Sequence, residues 1–193
     1  MNWPVLLTVF LNACLGLAQT KSAHQQVVAL PNGPVTQIVS PNKNWTLVFE
    51  CPNNCEERIL WIEGKSHARR LVKKYERSLD IAWAPDSGRF FVNDNFGSNG
   101  SESSVIDPIT LKITDLGAIV AGHDAQAKQF LRAGHSYIRA KSWLNAHALT
   151  VVLFGHFDEA PPHGVPAGFT AEYRVDLNGN AERVFLHSRE EPQ

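Results

Sequence analysis

The chain has few cysteines, no excess of either charge and no apolar run long enough to span a membrane. Only three of its 193 residues are cysteine, and the formal net charge is −1. The densest basic stretch, residues 67–74, is interrupted by Leu71 and Val72, which is typical of a solvated strand face. Because nucleic-acid binding depends on a continuous basic surface, the composition argues against a nucleic-acid partner.

Two catalytic signatures are also missing from the sequence. No Gly-x-Ser-x-Gly segment occurs, so the nucleophile elbow of an α/β-hydrolase is not indicated. No His-Glu-x-x-His segment occurs either, which excludes the most common zinc-protease motif. A length of 193 residues nevertheless suffices for one domain with a sizeable core.

The N-terminus resembles a secretory signal peptide. Its apolar run, over residues 5–18, falls short of the roughly 20 residues that a spanning helix needs. It ends in the small-x-small triplet Gly16–Ala18, which predicts a signal peptide over residues 1–18 and a periplasmic or secreted protein. A buried N-terminal strand is the alternative, and lipid attachment at Cys14, within a lipobox-like segment, is a further one. Residues 19–34 then form an N-terminal segment.

Removal of the signal would leave one pair of cysteines. Cys51 and Cys55 flank a Pro-Asn-Asn turn between two predicted strands, where disulfide geometry can be met. An oxidising compartment would let such a bond persist. A metal site is the alternative, but it would need two further soft ligands. We therefore expect a disulfide.

The stretch Leu79–Asp94 has the pattern of a β-hairpin. Leu79, Ile81 and Trp83 alternate with other residues and share one face of a strand. Pro, Asp, Ser and Gly follow at residues 85–88, and the glycine is expected to take the positive φ of the turn. The chain then returns through an apolar run.

The same pattern recurs twice. Asn42 in the first copy and Asp86 in the second stand 44 residues apart, a spacing typical of propeller blades. The third copy follows at Asn145, without proline. Each copy opens a predicted four-stranded antiparallel repeat, and the three repeats cover residues 35–73, 78–116 and 136–187. The longer second spacing is attributed to one short helix over residues 124–133, capped by Asp124.

The hairpin segments Ser40–Asn42 and Ala84–Asp86, each followed by an apolar strand, resemble the Ser-Pro-Asp-Gly hairpins of TolB-like, WD-like β-propeller proteins. The resemblance implies an all-β domain over residues 35–188, built from antiparallel four-stranded blades with one inserted helix. Three blades fall short of the four that a closed propeller needs, so the domain is expected to be incomplete. It could be completed by N-terminal strands or by a homodimer, or it could remain an open curved sheet. The four tryptophans that fall within strands are expected in the blade cores: Trp45, Trp61, Trp83 and Trp143.

Two loops carry candidate binding residues. The first offers oxygen ligands for Ca²⁺ from Asp94, Asn95, Asn99 and Glu102, although the same composition suits any hairpin loop. The second, residues 155–168, offers ligands for Zn²⁺, although a surface lid or a partner-contact loop fits it as well. Its candidates are His156, Asp158 and His163.

These observations favour an exported, non-catalytic binding or scaffold protein whose partner is another protein or a component of the cell envelope. No integral membrane segment and no obligatory cofactor are expected. The alternative is a metal-dependent or hydrolytic enzyme that uses the loop over residues 155–168.

Overall fold

The computed structural model describes residues 26–31, 37–52, 55, 57–132, 134–159 and 167–189. The predicted signal peptide, with Cys14, lies outside these residues, and so does His163. The described residues form thirteen strands and two helices.

The first repeat is a separate antiparallel sheet in which each strand pairs with the next one along the chain. Its strands are β2 (Gln37–Val39), β3 (Trp45–Glu50), β4 (Arg58–Gly64) and β5 (Arg69–Tyr75). The predicted disulfide between Cys51 and Cys55 lies in the β3–β4 connection. Because so short a loop loses little chain entropy on closure, the bond mainly fixes the connection between the two strands.

The second and third repeats are joined in one nine-stranded sheet. The strands of the second repeat are β6 (Ser78–Trp83), β7 (Phe90–Asn95), β8 (Gly100–Ile106) and β9 (Ile113–Asp115). Those of the third repeat are β10 (His135–Trp143), β11 (Ala148–His156), β12 (Gly168–Asp176) and β13 (Asn180–Arg189). The ninth strand, β1 (Val28–Leu30), pairs with β6. Pairing within every repeat is antiparallel, which confirms the predicted all-β architecture.

The second and third repeats are predicted as separate sheets, but β8 and β10 join them. Their parallel pairing is limited to residues 100–101 opposite residues 136–137. Farther along β10, the side chain of Asn93 makes the hydrogen bonds that a paired strand backbone would otherwise make. Its Nδ2 donates to the carbonyl oxygen of Ala140 at 2.9 Å, and its Oδ1 accepts the Ala140 N–H at 2.8 Å. The Asn93 amide therefore satisfies both backbone groups of Ala140, and Ser103 Oγ of β8 accepts the same N–H at 3.1 Å.

The hairpin turns of the first two repeats share one geometry, but glycine does not supply the positive φ. The prediction placed it at Gly88, whereas Ser87 adopts it with φ 64° and Lys43 adopts it in the first repeat with φ 59°. The preceding residue explains this tolerance. Asp86 Oδ1 and Asn42 Oδ1 each accept a backbone N–H two residues on. The short side-chain acceptor stabilises the turn without a glycine.

The second repeat is buried on both faces and separates two hydrophobic cores. Leu79, Ile81 and Trp83 belong to the first core, which lies between the first and second repeats. Ala82 belongs to the second core, which lies between the second and third repeats. Because successive strand residues point to opposite faces, a strand buried on both faces has no polar side. This explains the uninterrupted apolar run at residues 90–92.

Two tryptophans make the same contact at successive junctions, and both are buried as predicted. Trp83 Nε1 donates to the carbonyl oxygen of Ile38 in the preceding repeat, at 3.3 Å. Trp143 Nε1 donates to the carbonyl oxygen of Ala82, again in the preceding repeat, at 3.1 Å. The first contact links the end of β6 to β2, and the second links the end of β10 to β6.

Trp45 and Trp61 were also predicted as core residues, but both are only partly buried. Trp61 lies on the face of β4 that points away from the first core, where its Nε1 donates to the carboxylate of Glu50 at 2.9 Å. Trp45 packs at the margin of the first core, with the Arg70 guanidinium 5.7 Å from its ring centroid. The first repeat has a neighbouring repeat on one face only, which leaves these two rings accessible.

Two helices, α1 (Leu116–His123) and α2 (Ala125–Phe130), lie between the second and third repeats. Helix α2 is the predicted helix, and its N-cap is Asp124 as expected. Helix α1 is not predicted, because Gly117 and Gly122 lower the helix propensity of that stretch. Burial of Leu116 and Val120 in the second core stabilises it. In the described ranges, no helix is both long enough and apolar enough to cross a membrane.

Candidate functional site

A cavity of about 670 Å³ lies between the first repeat and α1. Two of the predicted calcium ligands, Asp94 and Glu102, line it, because the pairing of β7 with β8 places them directly opposite each other. Lys73 of β5 and apolar residues such as Ile106 line it as well. The wall combines apolar side chains with serines and six charged residues, a more polar lining than small-molecule sites usually have.

The carboxylate of Asp94 is the most buried charge in this wall. Its Oδ2 lies 2.5 Å from Lys73 Nζ, so the charge is paired across the gap between the first and second repeats. In the described part of the chain, its Oδ1 has no hydrogen-bond partner and could accept one more donor. Burial raises the pKa of the nearby Tyr75 phenol, Arg58 opposes the rise and Asp94 adds to it. Tyr75 therefore stays protonated at neutral pH.

The other two predicted calcium ligands lie apart from this pair. Asn95 Nδ2 donates to Ser78 Oγ at 3.1 Å, which directs the amide to β6. Asn99 lies in the β7–β8 loop with its Oδ1 beside Gly97. Calcium binding by this loop remains a prediction.

A second polar cluster forms where β10 begins and β11 ends. The predicted candidates His156 and Asp158 meet there, with His156 Nε2 3.6 Å from Asp158 Oδ1. A residue that was not predicted, His135, joins them, with its Nδ1 2.5 Å from the same carboxylate oxygen. One potential donor atom from each residue lies within 4.8 Å of the other two. The side chains are exposed to intermediate degrees, from 30% for His135 to 57% for His156.

Two glycines make room for this cluster. A Cβ atom at Gly134 would collide with the Asp158 carboxylate, and one at Gly155 would collide with the carbonyl oxygen of His135. Gly155 on β11 therefore cannot carry a side chain, whereas a side chain at residue 134, just before β10, would require Asp158 to move. The pair of glycines next to His135 and His156 is the sequence signal that could have identified His135.

The outer edge of the large sheet is formed by β13. It pairs with β12 on one side, and no strand in the described ranges pairs with its other side. Three consecutive apolar residues on it are exposed: Val184 (56%), Phe185 (54%) and Leu186 (38%). Unpaired backbone groups next to exposed apolar side chains form a surface on which another strand can pair.

The fold is therefore that of an all-β, propeller-like protein with three four-stranded repeats. No family model matches the chain, and no curated protein matches it. Solved structures similar to it include the β-propeller domain of the Trilobed protease from Pyrococcus furiosus, at 10% identity and a TM-score of 0.49. TolB from Acinetobacter baumannii, at 11% and 0.42, and an acylaminoacyl peptidase from Pyrococcus horikoshii, at 13% and 0.43, are also similar.

These three structures cover 81%, 81% and 78% of this chain. The chain in turn spans 50%, 33% and 25% of their lengths. At such low identity and with TM-scores below 0.5, the similarities carry no information about activity. The function has to be argued from this chain's own surfaces.

Proposed function

We propose that the protein is an exported, non-catalytic propeller-type module that binds an extended segment of another protein along β13. The observation that carries this proposal is the exposed apolar run Val184–Leu186 on the unpaired edge of the sheet. Added strands of this kind gain affinity from main-chain hydrogen bonds and specificity from alternate side chains.

Helix α1 lies against β13, but the central residues 184–186 carry no charge and are exposed. Edge strands are commonly shielded by charged residues or proline, which prevent unwanted pairing. The Arg183 side chain contacts the start of α2: its Nη1 lies 3.0 Å from Asp124 Oδ2 and donates to Gln126 Oε1 at 2.9 Å. The next three residues are apolar and exposed, which suits a partner strand with apolar side chains.

Two features support export. The sequence predicts a signal peptide over residues 1–18, outside the described residues. The disulfide between Cys51 and Cys55 belongs to a class of bond that persists in oxidising compartments and is rare in the cytosol. Both features fit a periplasmic or secreted protein.

A site-specific photo-crosslinker at position 185 tests the proposed partner surface. In an envelope extract of the producing cells, we expect one discrete adduct with a second protein. The same probe at position 144 is the matched control, since Leu144 is exposed to a similar degree (51%) but lies in the β10–β11 turn. The Leu186→Lys substitution should abolish the adduct at 185 and leave circular dichroism unchanged.

Two outcomes contradict the proposal. Equal adduct patterns from positions 185 and 144 would mean that β13 has no specific partner. An adduct between two copies of this chain, with a dimer in sedimentation, would replace the partner protein with a homodimer paired through β13.

A further inference from the structure

The register of β10 and β11 places two imidazoles side by side. His135 and His156 are directly paired residues on antiparallel strands, so their side chains leave the same face of the sheet. Their rings stack at a centroid distance of 4.5 Å with an interplanar angle of 13°. Because the lone pair of an imidazole nitrogen lies in the ring plane, the two stacked rings must rotate about their side-chain bonds before both can bind one ion.

The carboxylate of Asp158 is brought to these rings by an anchored segment. Asp158 lies two residues beyond the end of β11, and Phe157 between them packs against Phe130 with ring centroids 5.2 Å apart. The Phe157 N–H also donates to the carbonyl oxygen of Ala167 at 3.1 Å. Both the side chain and the backbone of Phe157 are therefore anchored, and this fixes the position of the neighbouring Asp158. Its carboxylate fills the space that Gly134 leaves open.

We propose that His135, His156 and Asp158 form a zinc-binding site. Two imidazole nitrogens and one carboxylate oxygen are a common set of three protein ligands for Zn²⁺. Tetrahedral ligands at the usual bond lengths stand roughly 3.3 Å apart. The 3.6 Å between His156 Nε2 and Asp158 Oδ1 is close to that separation. The 2.5 Å between His135 Nδ1 and the same oxygen must lengthen by a side-chain rotation before both atoms can bind one ion.

The three donors among the described residues fill three of the four tetrahedral positions. The exposure of all three side chains predicts moderate affinity, since solvent competes for the ion and for its ligands. Zinc bound here links the first strand of the third repeat to the segment that follows its second strand. This inference is independent of the binding role proposed for β13.

Titration calorimetry on the full chain, first stripped of metal with a chelator, tests the site. We expect one Zn²⁺ per chain with a dissociation constant in the micromolar range. His135→Ala, His156→Ala and Asp158→Asn should each weaken binding at least tenfold, which is a loss of about 1.4 kcal/mol or more. His187→Ala and His123→Ala are the matched controls, because both histidines are exposed and lie outside the cluster.

A fourth variant removes no ligand. Gly134→Ala should weaken zinc binding by displacing the Asp158 carboxylate, while the three donors remain in the chain. Circular dichroism and a thermal melt without metal establish that each variant is folded. In the parent chain, zinc should raise the melting temperature, and in His135→Ala it should not.

Several results would overturn the assignment. Unchanged affinity in His135→Ala would exclude the cross-strand histidine pair. Equal losses in His187→Ala and His156→Ala would indicate unspecific binding to surface histidines. Absence of any zinc uptake by the folded parent chain would remove the site altogether.

Discussion

The molecule has two junctions between repeats: the first joins the first and second repeats, and the second joins the second and third. The two junctions share one contact and are otherwise built differently. Both use a tryptophan indole N–H that donates to the backbone of the preceding repeat. The first junction is otherwise face-to-face packing of two separate sheets, with a cavity beside it. The second has a shared strand pairing, buried polar side chains and two helices.

The insertion between the repeats accounts for this difference. It places α1 and α2 in the second core and starts β10 beside β8. The same tryptophan contact recurs at both junctions, whereas the rest of each junction depends on the connecting segment. A regular spacing therefore indicates which faces meet, but not how closely the sheets are joined.

The largest expected effect comes from the buried amide at the second junction. Asn93→Ala removes the partner of the Ala140 carbonyl and of the Ser103 hydroxyl, which donates to Asn93 Oδ1 at 2.7 Å. Buried groups left without a partner cost about 1–3 kcal/mol each, so we expect a loss on the order of 3 kcal/mol. Urea unfolding followed by fluorescence measures it.

A matched variant at the first junction sharpens the comparison. Ser87 Oγ accepts the N–H of Asn42 at 2.9 Å, which is a side-chain contact between the first and second repeats. Ser87→Ala should cost about 1 kcal/mol, because a single neutral hydrogen bond is lost at a partly buried contact. A loss equal to that of Asn93→Ala would show that the polar contacts of the two junctions contribute alike.

Replacement of each tryptophan by phenylalanine tests the shared contact. Trp143 and its acceptor are both buried, whereas the contact of Trp83 with Ile38 is longer and only partly buried. An unpaired carbonyl costs more where water cannot reach it. We expect Trp143→Phe to lose about 2 kcal/mol and Trp83→Phe about 1 kcal/mol, from thermal or urea unfolding of both variants. The reverse order would contradict the assigned burial of the two contacts.

The smallest expected effect at neutral pH comes from one tyrosine in each core, and it grows at alkaline pH. Burial raises the pKa of Tyr75 in the first core. Burial raises the pKa of Tyr173 in the second core, and a hydrogen bond to Asp124 adds to the rise. Above about pH 10 the unfolded chain loses these protons while the folded chain keeps them. Stability is therefore unaffected below about pH 10 and falls as the pH rises towards the folded-state pKa values.

Phenylalanine variants separate the two tyrosines. Both Tyr75→Phe and Tyr173→Phe should flatten the alkaline fall in unfolding free energy. At neutral pH, Tyr173→Phe should cost about 1 kcal/mol, because the phenol donates to Asp124 at 2.9 Å. Tyr75 has no such partner in the described part of the chain, so its replacement should cost less. Urea titrations at neutral and at alkaline pH give both quantities.

The local elements were predictable from sequence, because alternation and turn residues act over a few positions. The hairpin at residues 79–94 and the cap at Asp124 are examples. The pairing of β8 with β10 was not predictable, since it covers two residue pairs and depends on where the insertion leaves the chain. Helix α1 was missed for a related reason, because burial overrides its two glycines.

The candidate zinc site shows the same limit. His156 and Asp158 stand close in sequence, so their proximity was evident. His135 stands 21 residues before His156, and only the register of β10 on β11 makes the two opposite neighbours. Sequence spacing alone can identify ligands that lie on one segment. To identify ligands on two paired strands, the register between the strands must also be known.

The pairing of β1 with β6 determines how the first repeat is connected to the nine-stranded sheet. Leu30 at its end pairs with Leu79 near the start of β6, so the two strands are antiparallel neighbours. Everything between them in the sequence, including the whole first repeat, is topologically an insert in a β-hairpin. A short loop from residue 30 to residue 78 would therefore preserve the strand order of the nine-stranded sheet, but loss of the first repeat would expose Leu79, Ile81 and Trp83 of the first core.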